Sequence, residues 1–133
     1  MLKNMNIIIK PMKKNEIKWL KQPEPHNYPA AQSYLSLIYT EVIAKDFVKK
    51  LKGAKVTEFK SKDVFRASRL SLLGISNEHV NKDRKKIKKG TALSPILLVR
   101  DSTSGNVIIA DGYHRMCAVY SIDENAVIPC KIV

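Results

Sequence analysis

The fold is decided by one stretch in the last third of the chain, where a buried strand leads directly into a turn and a helix. The stretch reads Val107-Ile108-Ile109-Ala110-Asp111-Gly112-Tyr113-His114-Arg115. Its first four residues are apolar and predict the strand, and residues 112–122 predict the helix. At such a junction the first helical N–H groups have no partner within the helix, and the helix dipole adds positive charge. The turn therefore predicts an anion-binding site.

The side chains of this turn favour a phosphate as the anion. Gly112 allows a ligand to approach the backbone closely, and Arg115 can hold a phosphate through two parallel hydrogen bonds. His114 can donate a hydrogen bond to the phosphate or transfer a proton. The residues alone also allow a simpler interpretation, in which Asp111 caps the helix, Arg115 pairs with a surface acid and His114 has no role.

The sequence around the turn predicts a small α/β domain of the α+β kind, preceded by a helical extension. Residues 95–100 and 106–110 predict a hairpin, and residues 127–133 predict the last strand. Ahead of the hairpin, the sequence predicts a short helix around residues 15–21, a helix over 28–51 and a strand over 56–59. Two more helices follow. The first covers residues 62–68 and is capped by Ser61, and the second covers 78–89, is capped by Ser76 or Asn77 and is followed by Gly90. Residues 1–53 are thus predicted to pack as an extension on the core of a domain formed by residues 54–133.

Residues 108–118 resemble the phosphate-binding signature of the ParB/sulfiredoxin superfamily, and the flanking residues 94–100 and 128–133 match it in order and spacing. The resemblance covers residues 55–133 and leaves the first part of the chain outside it. It implies a ParB/sulfiredoxin-like domain with a mixed sheet, in which the turn binds the phosphates of a nucleotide.

Three branches of this superfamily differ in the residues that follow the glycine of the turn. ParB proteins have Gly-Glu-Arg-Arg and bind a nucleoside triphosphate, and here Gly112 and Arg115 match the two ends. Sulfiredoxins have Gly-Cys-His-Arg, but Tyr113 stands at the position of the catalytic cysteine, so sulfinic acid reductase activity is not implied. Free-serine kinases have Asp-Gly-His-His-Arg, which differs here only at Tyr113. These kinases also use a glutamate ahead of the hairpin as a base, and Glu78 lies near that position.

The predicted site combines the turn with the basic helix over residues 78–89. The candidates for catalysis are Glu78, Asp111 and His114, and the candidates for phosphate binding are Gly112, Tyr113, His114, Arg115, His79, Lys82 and Lys86. Lys62, Arg66, Ser68 and Arg69 flank the first strand and are further candidates for the same pocket. The resemblance implies ATP, ADP or CTP with Mg²⁺ as ligands, and an NTPase or a small-molecule kinase as the activity. The alternative for the basic helix is a solvated surface.

The charge of the chain agrees with a partner that carries phosphate. The 133 residues have a formal net charge of +12. The first 53 residues carry ten basic and four acidic side chains, and the rest carry fourteen and eight, so the excess is spread evenly. Such a field attracts the phosphates of nucleotides, nucleic acid or anionic lipid without choosing among them. The alternative function is therefore a non-catalytic ParB-like DNA-binding module associated with partition.

The cysteines and the apolar segments favour a cytoplasmic protein that does not enter the membrane. Cys117 and Cys130 are too few for a disulfide framework and lack the spacing of metal ligands, so we expect buried free thiols. The apolar runs are shorter than a membrane span and do not form a signal peptide. The pattern predicts no metal-ligating residues and does not indicate an oligomeric state.

Overall fold

The computed structural model describes residues 16–74 and 76–133, which form a four-stranded sheet and five helices. In chain order the elements are α1 (Asn27–Leu35), α2 (Glu41–Gly53), β1 (Thr57–Lys60), α3 (Ser61–Ser68), α4 (Glu78–Lys89), β2 (Ile96–Asp101), β3 (Asn106–Asp111), α5 (Tyr113–Ile122) and β4 (Val127–Ile132). The α+β class is confirmed, and so is the predicted order of helix, strand, strand, helix and strand from residue 78 onward. Within the described residues no helix has both the length and the apolar character needed to cross a membrane.

The sheet is mixed, and the strand that leads into the candidate turn lies at its edge. The strands lie in the order β1-β4-β2-β3. β2 and β3 form the predicted antiparallel hairpin, while β2 pairs on its other side with β4 in parallel. The register of the hairpin shifts between Leu97 and Leu98, and Asp111 lies opposite Leu97 beside this irregularity. Such irregularities re-aim side chains, here at the point where β3 enters the turn.

Both faces of the sheet are covered, which explains the continuous apolar run of β2. Successive side chains of a strand alternate between the two faces. Ile96 and Leu98 belong to the buried cluster under α3, α4 and α5, and Leu97 and Val99 belong to the cluster under α1 and α2. The first four residues of β2 are therefore apolar without alternation, because both faces of the sheet are buried there.

The N-terminal helices differ from the prediction of one helix over residues 28–51. The structure has two helices, α1 and α2, and α2 begins after Thr40, whose Oγ1 accepts a hydrogen bond from the N–H of Ile43 at 3.4 Å. The chain turns back between them, so that Leu35 and Ala44 are buried in the same cluster. The prediction was wrong because apolar residues at helical spacing occur both in one long helix and in two packed helices joined by a short turn.

The short helix predicted around residues 15–21 is wrong for residues 16–21, which are not helical. Trp19 instead forms an isolated parallel bridge with Leu93. The N–H of Leu20 donates to the carbonyl of Leu93 at 2.8 Å. A distant segment therefore satisfies the backbone groups that a helix would have satisfied locally. Residue 15 lies outside the described residues.

The first turns of α3 and α4 show which of the predicted caps are made. Ser61 does not cap α3, because its hydroxyl donates to two backbone carbonyls of the loop before β4, at 2.7 and 3.1 Å. Asn77 caps α4, because its Oδ1 accepts hydrogen bonds from two N–H groups of the first turn, at 3.0 and 3.2 Å. Gly90 follows α4 in the left-handed conformation, with φ of 77°, as predicted.

Candidate functional site

A cavity of about 230 Å³ lies between the first turn of α5 and one side of α4. It is lined by His79, Lys82, Asp83, Lys86, Asp111, Gly112, Tyr113, His114 and Arg115. These include every residue predicted on the turn and on the basic helix except Glu78, together with Asp83, which the sequence did not single out. The turn and the helix therefore meet in one place, although more than twenty residues separate them in the chain.

Gly112 is required by the backbone and by packing at the start of α5. It precedes the helix in the left-handed conformation, with φ of 109°. A Cβ at this position would lie 2.9 Å from Nη2 of Arg115 and 2.9 Å from Cγ1 of Ile96. Among the described residues no side chain caps α5, so Asp111 is not the cap that the simpler interpretation proposed. The first N–H groups of α5 consequently remain available to a ligand.

Arg115 acts as a clamp within the protein. Its Nη2 donates to Oδ2 of Asp111 at 2.9 Å and to the carbonyl of Pro95 at 3.3 Å. The two charged side chains are only 16% and 18% exposed. The buried Nε of Arg115 finds no partner among the described residues. Arg115 thus joins α5 to the end of β3 and the start of β2, and the acid with which it pairs is its own neighbour in the turn.

Two histidine rings that line the cavity lie against each other. The ring centroids of His79 and His114 are 4.8 Å apart, and the ring of Tyr113 lies 5.6 Å from that of His114. Burial lowers the pKa of His114, the nearby His79 lowers it further, and Asp83 acts in the opposite direction. The surroundings of His114 therefore favour its neutral form, and an anion beside it would favour its protonated form.

Asp83 is the residue of the cavity that sequence reasoning missed. It is 9% exposed, and its one ion pair within the described residues joins its Oδ1 to Nζ of Lys86 at 3.9 Å. Burial raises the pKa of Asp83, although Lys86, Arg115 and the two histidines of the cavity lower it. A signal was present in the sequence, because Asp83 lies four residues after His79 and so shares its side of the helix.

Tyr113 connects the site to the segment before α4. Its hydroxyl donates to the backbone carbonyl of Ser71. Burial raises the pKa of the Tyr113 phenol, and the adjacent Cys117 raises it further. Cys117 and Cys130 are buried free thiols, as expected, and burial raises the pKa of Cys130 to about 12. Tyr113 therefore contributes its ring to the cavity, while its hydroxyl holds the neighbouring segment.

The other predicted residues lie away from the cavity. Glu78 is exposed in the first turn of α4 and does not line the cavity. The four candidates near β1 do not line the cavity either. They are Lys62, Arg66, Ser68 and Arg69. Arg66 pairs instead with Asp63 on the surface of α3 at 3.1 Å. In the described part of the chain, no group of three or more side chains is arranged to hold a metal ion.

Comparison with known proteins leaves the family of the chain open. No family model matches the chain, and no match was found among the curated proteins or the solved structures. The relation to the ParB/sulfiredoxin superfamily therefore stays a prediction based on residues 108–118. What the site can bind follows from the side chains and backbone groups that line the cavity.

Proposed function

We propose that the protein binds the phosphate group of a nucleotide in the cavity between α4 and the first turn of α5. The observation that carries this proposal is the convergence of Lys82 and Lys86 with a helix N-terminus that no described side chain caps. Backbone N–H groups and the helix dipole favour an anion there, and the two lysines supply charge from the opposite wall. The first turn of α5 even carries a histidine and an arginine, which disfavour an isolated helix but suit a bound anion.

The charge and size of the cavity support a phosphate group as the ligand. Lys82, Lys86 and Arg115 face two carboxylates, Asp83 and Asp111, so the lining is positive even when both histidines are neutral. The volume of about 230 Å³ is smaller than the roughly 300–1,000 Å³ of pockets that enclose a drug-sized ligand. The cavity therefore suits a phosphate group, with the sugar and base of the nucleotide outside it.

We also propose that residues 55–133 belong to the ParB/sulfiredoxin superfamily. The proposal is supported by the succession of α4, β2, β3, α5 and β4, and by the position of Gly112 between a buried strand and a helix. The nucleotide candidates remain ATP, ADP and CTP. Magnesium is included because Mg²⁺ usually binds through one or two carboxylates together with the phosphates of the ligand, and Asp83 and Asp111 both line the cavity.

We propose binding rather than a reaction. An NTPase or a kinase would need a general base in the cavity, and Glu78, the residue predicted for that role, lies outside it. A general base must come within hydrogen-bond reach of the proton that it removes. Glu78 is exposed outside the lining, and Asp111 is paired with Arg115 at 2.9 Å. Of the predicted catalytic residues, His114 lines the cavity and forms no ion pair within the described residues. Burial lowers its pKa, which favours the neutral imidazole.

The test compares two pairs of lysines on the same helix. Lys82 and Lys86 line the cavity, whereas Lys85 and Lys89 are exposed outside it. Thermal unfolding is measured with ATP, ADP, CTP and GTP, each with and without Mg²⁺. A ligand at a hundredfold excess over its Kd stabilises the folded state by about 2.7 kcal/mol. We expect this stabilisation to be lost in the Lys82→Gln/Lys86→Gln variant and kept in Lys85→Gln/Lys89→Gln.

A second candidate function is binding to the backbone of nucleic acid, which the exposed lysines of α4 outside the cavity favour. In that case duplex DNA would bind with an affinity that falls steeply as salt rises. Both pairs of lysine substitutions would then weaken binding by similar factors, because each removes two charges from the same surface. No response to any nucleotide, together with salt-dependent DNA binding, would replace the first proposal by this one.

A further inference from the structure

Asp83 lies on the wall of the cavity without a hydrogen bond from any described residue. Nine-tenths of the residue is buried, and the nitrogen of Lys86, at 3.9 Å, lies beyond hydrogen-bond distance. Its side chain is 13% exposed and lines the cavity, so the carboxylate can accept a hydrogen bond from a group that enters the cavity. At the start of α4, Asn77 acts as the cap and Glu78 is exposed. Asp83 is the one acidic residue of α4 that lines the cavity, whose other groups from α4 and α5 attract anions.

A carboxylate in an anion site restricts which anions fit. An ionised carboxylate accepts hydrogen bonds and donates none. An oxyanion that contacts Asp83 must therefore present a hydrogen atom, because two negative oxygens at contact distance repel each other. Lys82, Lys86 and the N–H groups of α5 can hold the remaining oxygens of the same anion.

The common oxyanions differ in this property. A phosphate monoester loses its second proton with a pKa of about 6, so that a P–OH group is accessible near neutral pH. Inorganic phosphate also keeps a proton on its oxygens at pH 7. Sulfate has no proton at this pH, and neither has the internal phosphodiester of DNA or RNA.

We propose that Asp83 is a specificity-determining residue, which accepts a hydrogen bond from the P–OH group of a terminal phosphate and so selects a phosphate monoester over sulfate and over a phosphodiester. The inference rests on the proposed phosphate site and narrows its ligand to the phosphate end of a nucleotide. It also separates the two candidate functions, because the backbone of nucleic acid offers no proton to Asp83.

The first experiment measures the binding of inorganic phosphate and of sulfate by calorimetry at pH 7 and equal ionic strength. We expect the wild-type protein to bind phosphate about tenfold more tightly than sulfate, because sulfate leaves the carboxylate without a donor. In Asp83→Asn the amide can donate to either anion, so the two affinities should become similar, mainly through tighter sulfate binding. Asp46→Asn removes the same charge from an exposed position of α2 and should keep the wild-type ratio.

A second experiment uses nucleotides of matched composition. Thymidine monophosphate carries a terminal phosphate, whereas a thymidine dinucleotide without terminal phosphates carries only the internal diester. The wild-type protein should bind the monophosphate more tightly, and Asp83→Asn should reduce this preference. The readout is a ratio of affinities, so a general loss of stability in the variant does not imitate the expected result.

The outcomes separate this inference from the proposed function. Equal affinities for phosphate and sulfate in the wild-type protein, or an unchanged ratio in folded Asp83→Asn, would overturn the role of Asp83 and leave the phosphate site intact. Absence of binding for both anions and for every nucleotide tested would overturn the site and the selectivity together.

Discussion

The N-termini of α4 and α5, the two helices that line the cavity, are built in opposite ways. At α4, Asn77 accepts hydrogen bonds from two N–H groups, and Glu78 places a negative charge in the first turn. At α5, Gly112 provides no side-chain cap, and the first turn carries His114 and Arg115. The first arrangement satisfies the helix locally. The N-terminus of α5 instead leaves backbone N–H groups and positive charge for a ligand. We therefore expect the anion to bind at the N-terminus of α5 and not at that of α4.

The same contrast extends to the way in which each helix is fastened. α4 begins with a capping residue that acts within its own first turn. α5 is held by the clamp of Arg115, which reaches the last residue of β3 and the residue before β2. An open helix end therefore depends on tertiary contacts that a capped end does not require.

Gly112→Ala should have the largest effect of the substitutions that break this contrast. The alanine would adopt a positive φ and collide with Arg115 and Ile96 at 2.9 Å, which should lower the free energy of unfolding by about 3 kcal/mol. Urea denaturation measures this change. Gly90→Ala is the matched control, since its nearest neighbour, Nζ of Lys18, is 3.8 Å away and flexible. It should cost about 1 kcal/mol, and equal effects of the two variants would contradict the close packing at Gly112.

Arg115→Gln should have the next largest effect, because it breaks the clamp and leaves the carboxylate of Asp111 without its charge partner. We expect a loss of about 2 kcal/mol in the free energy of unfolding. Arg66→Gln breaks an ion pair with Asp63 whose side chains are 79% and 49% exposed, and it should lose less than about 0.5 kcal/mol. A stability unchanged by Arg115→Gln would show that the clamp is not structural. Loss of phosphate affinity in that variant would then point to direct contact with the ligand.

Asn77→Ala should remove the cap of α4 without affecting the ligand. The loss of hydrogen bonds to two N–H groups should lower the free energy of unfolding by about 1 kcal/mol. Phosphate affinity, measured by calorimetry below the unfolding transition, should stay within about twofold of the wild-type value. A large drop in affinity would mean that the start of α4 also belongs to the binding site, and the contrast between the two helix ends would be lost.

His79→Gln should produce the smallest effect, a rise in the pKa of His114. Burial and His79 both lower this pKa below its ordinary value of 6.5 in the folded protein, while Asp83 partly opposes them. The folded state therefore resists protonation of His114, so stability is lost as pH falls through 6.5 toward the lower pKa of the folded state. NMR titration of the His114 ring measures the pKa directly. The stability of His79→Gln should also decline less between pH 7 and the folded pKa, and an unchanged pKa would show that the two rings do not interact.

Local elements of the fold could be predicted because neighbouring residues specify them. The hairpin of β2 and β3, the caps at Asn77 and Gly90, and the turn at Gly112 each depend on residues that are close in the chain. The separation of α1 from α2 before Thr40 could not be predicted, because the same spacing of apolar residues occurs in one long helix and in two packed helices. The bridge of Trp19 with Leu93 was missed for a related reason, since a partner more than seventy residues away satisfies its backbone.

The sequence by itself determined the glycine and the basic residues at the start of α5, since both follow from the order of residues 107–115. Tertiary structure alone decided that Arg115 is held by Asp111 and Pro95, that Glu78 lies outside the cavity and that Asp83 lies inside it. The physical reason is burial: whether a charged group keeps its water, finds a partner or stays unsatisfied depends on which distant elements pack around it. The spacing of residues in α4 predicts which of them share a face of the helix. Only the packing of α4 against α5 shows which residues that face contacts.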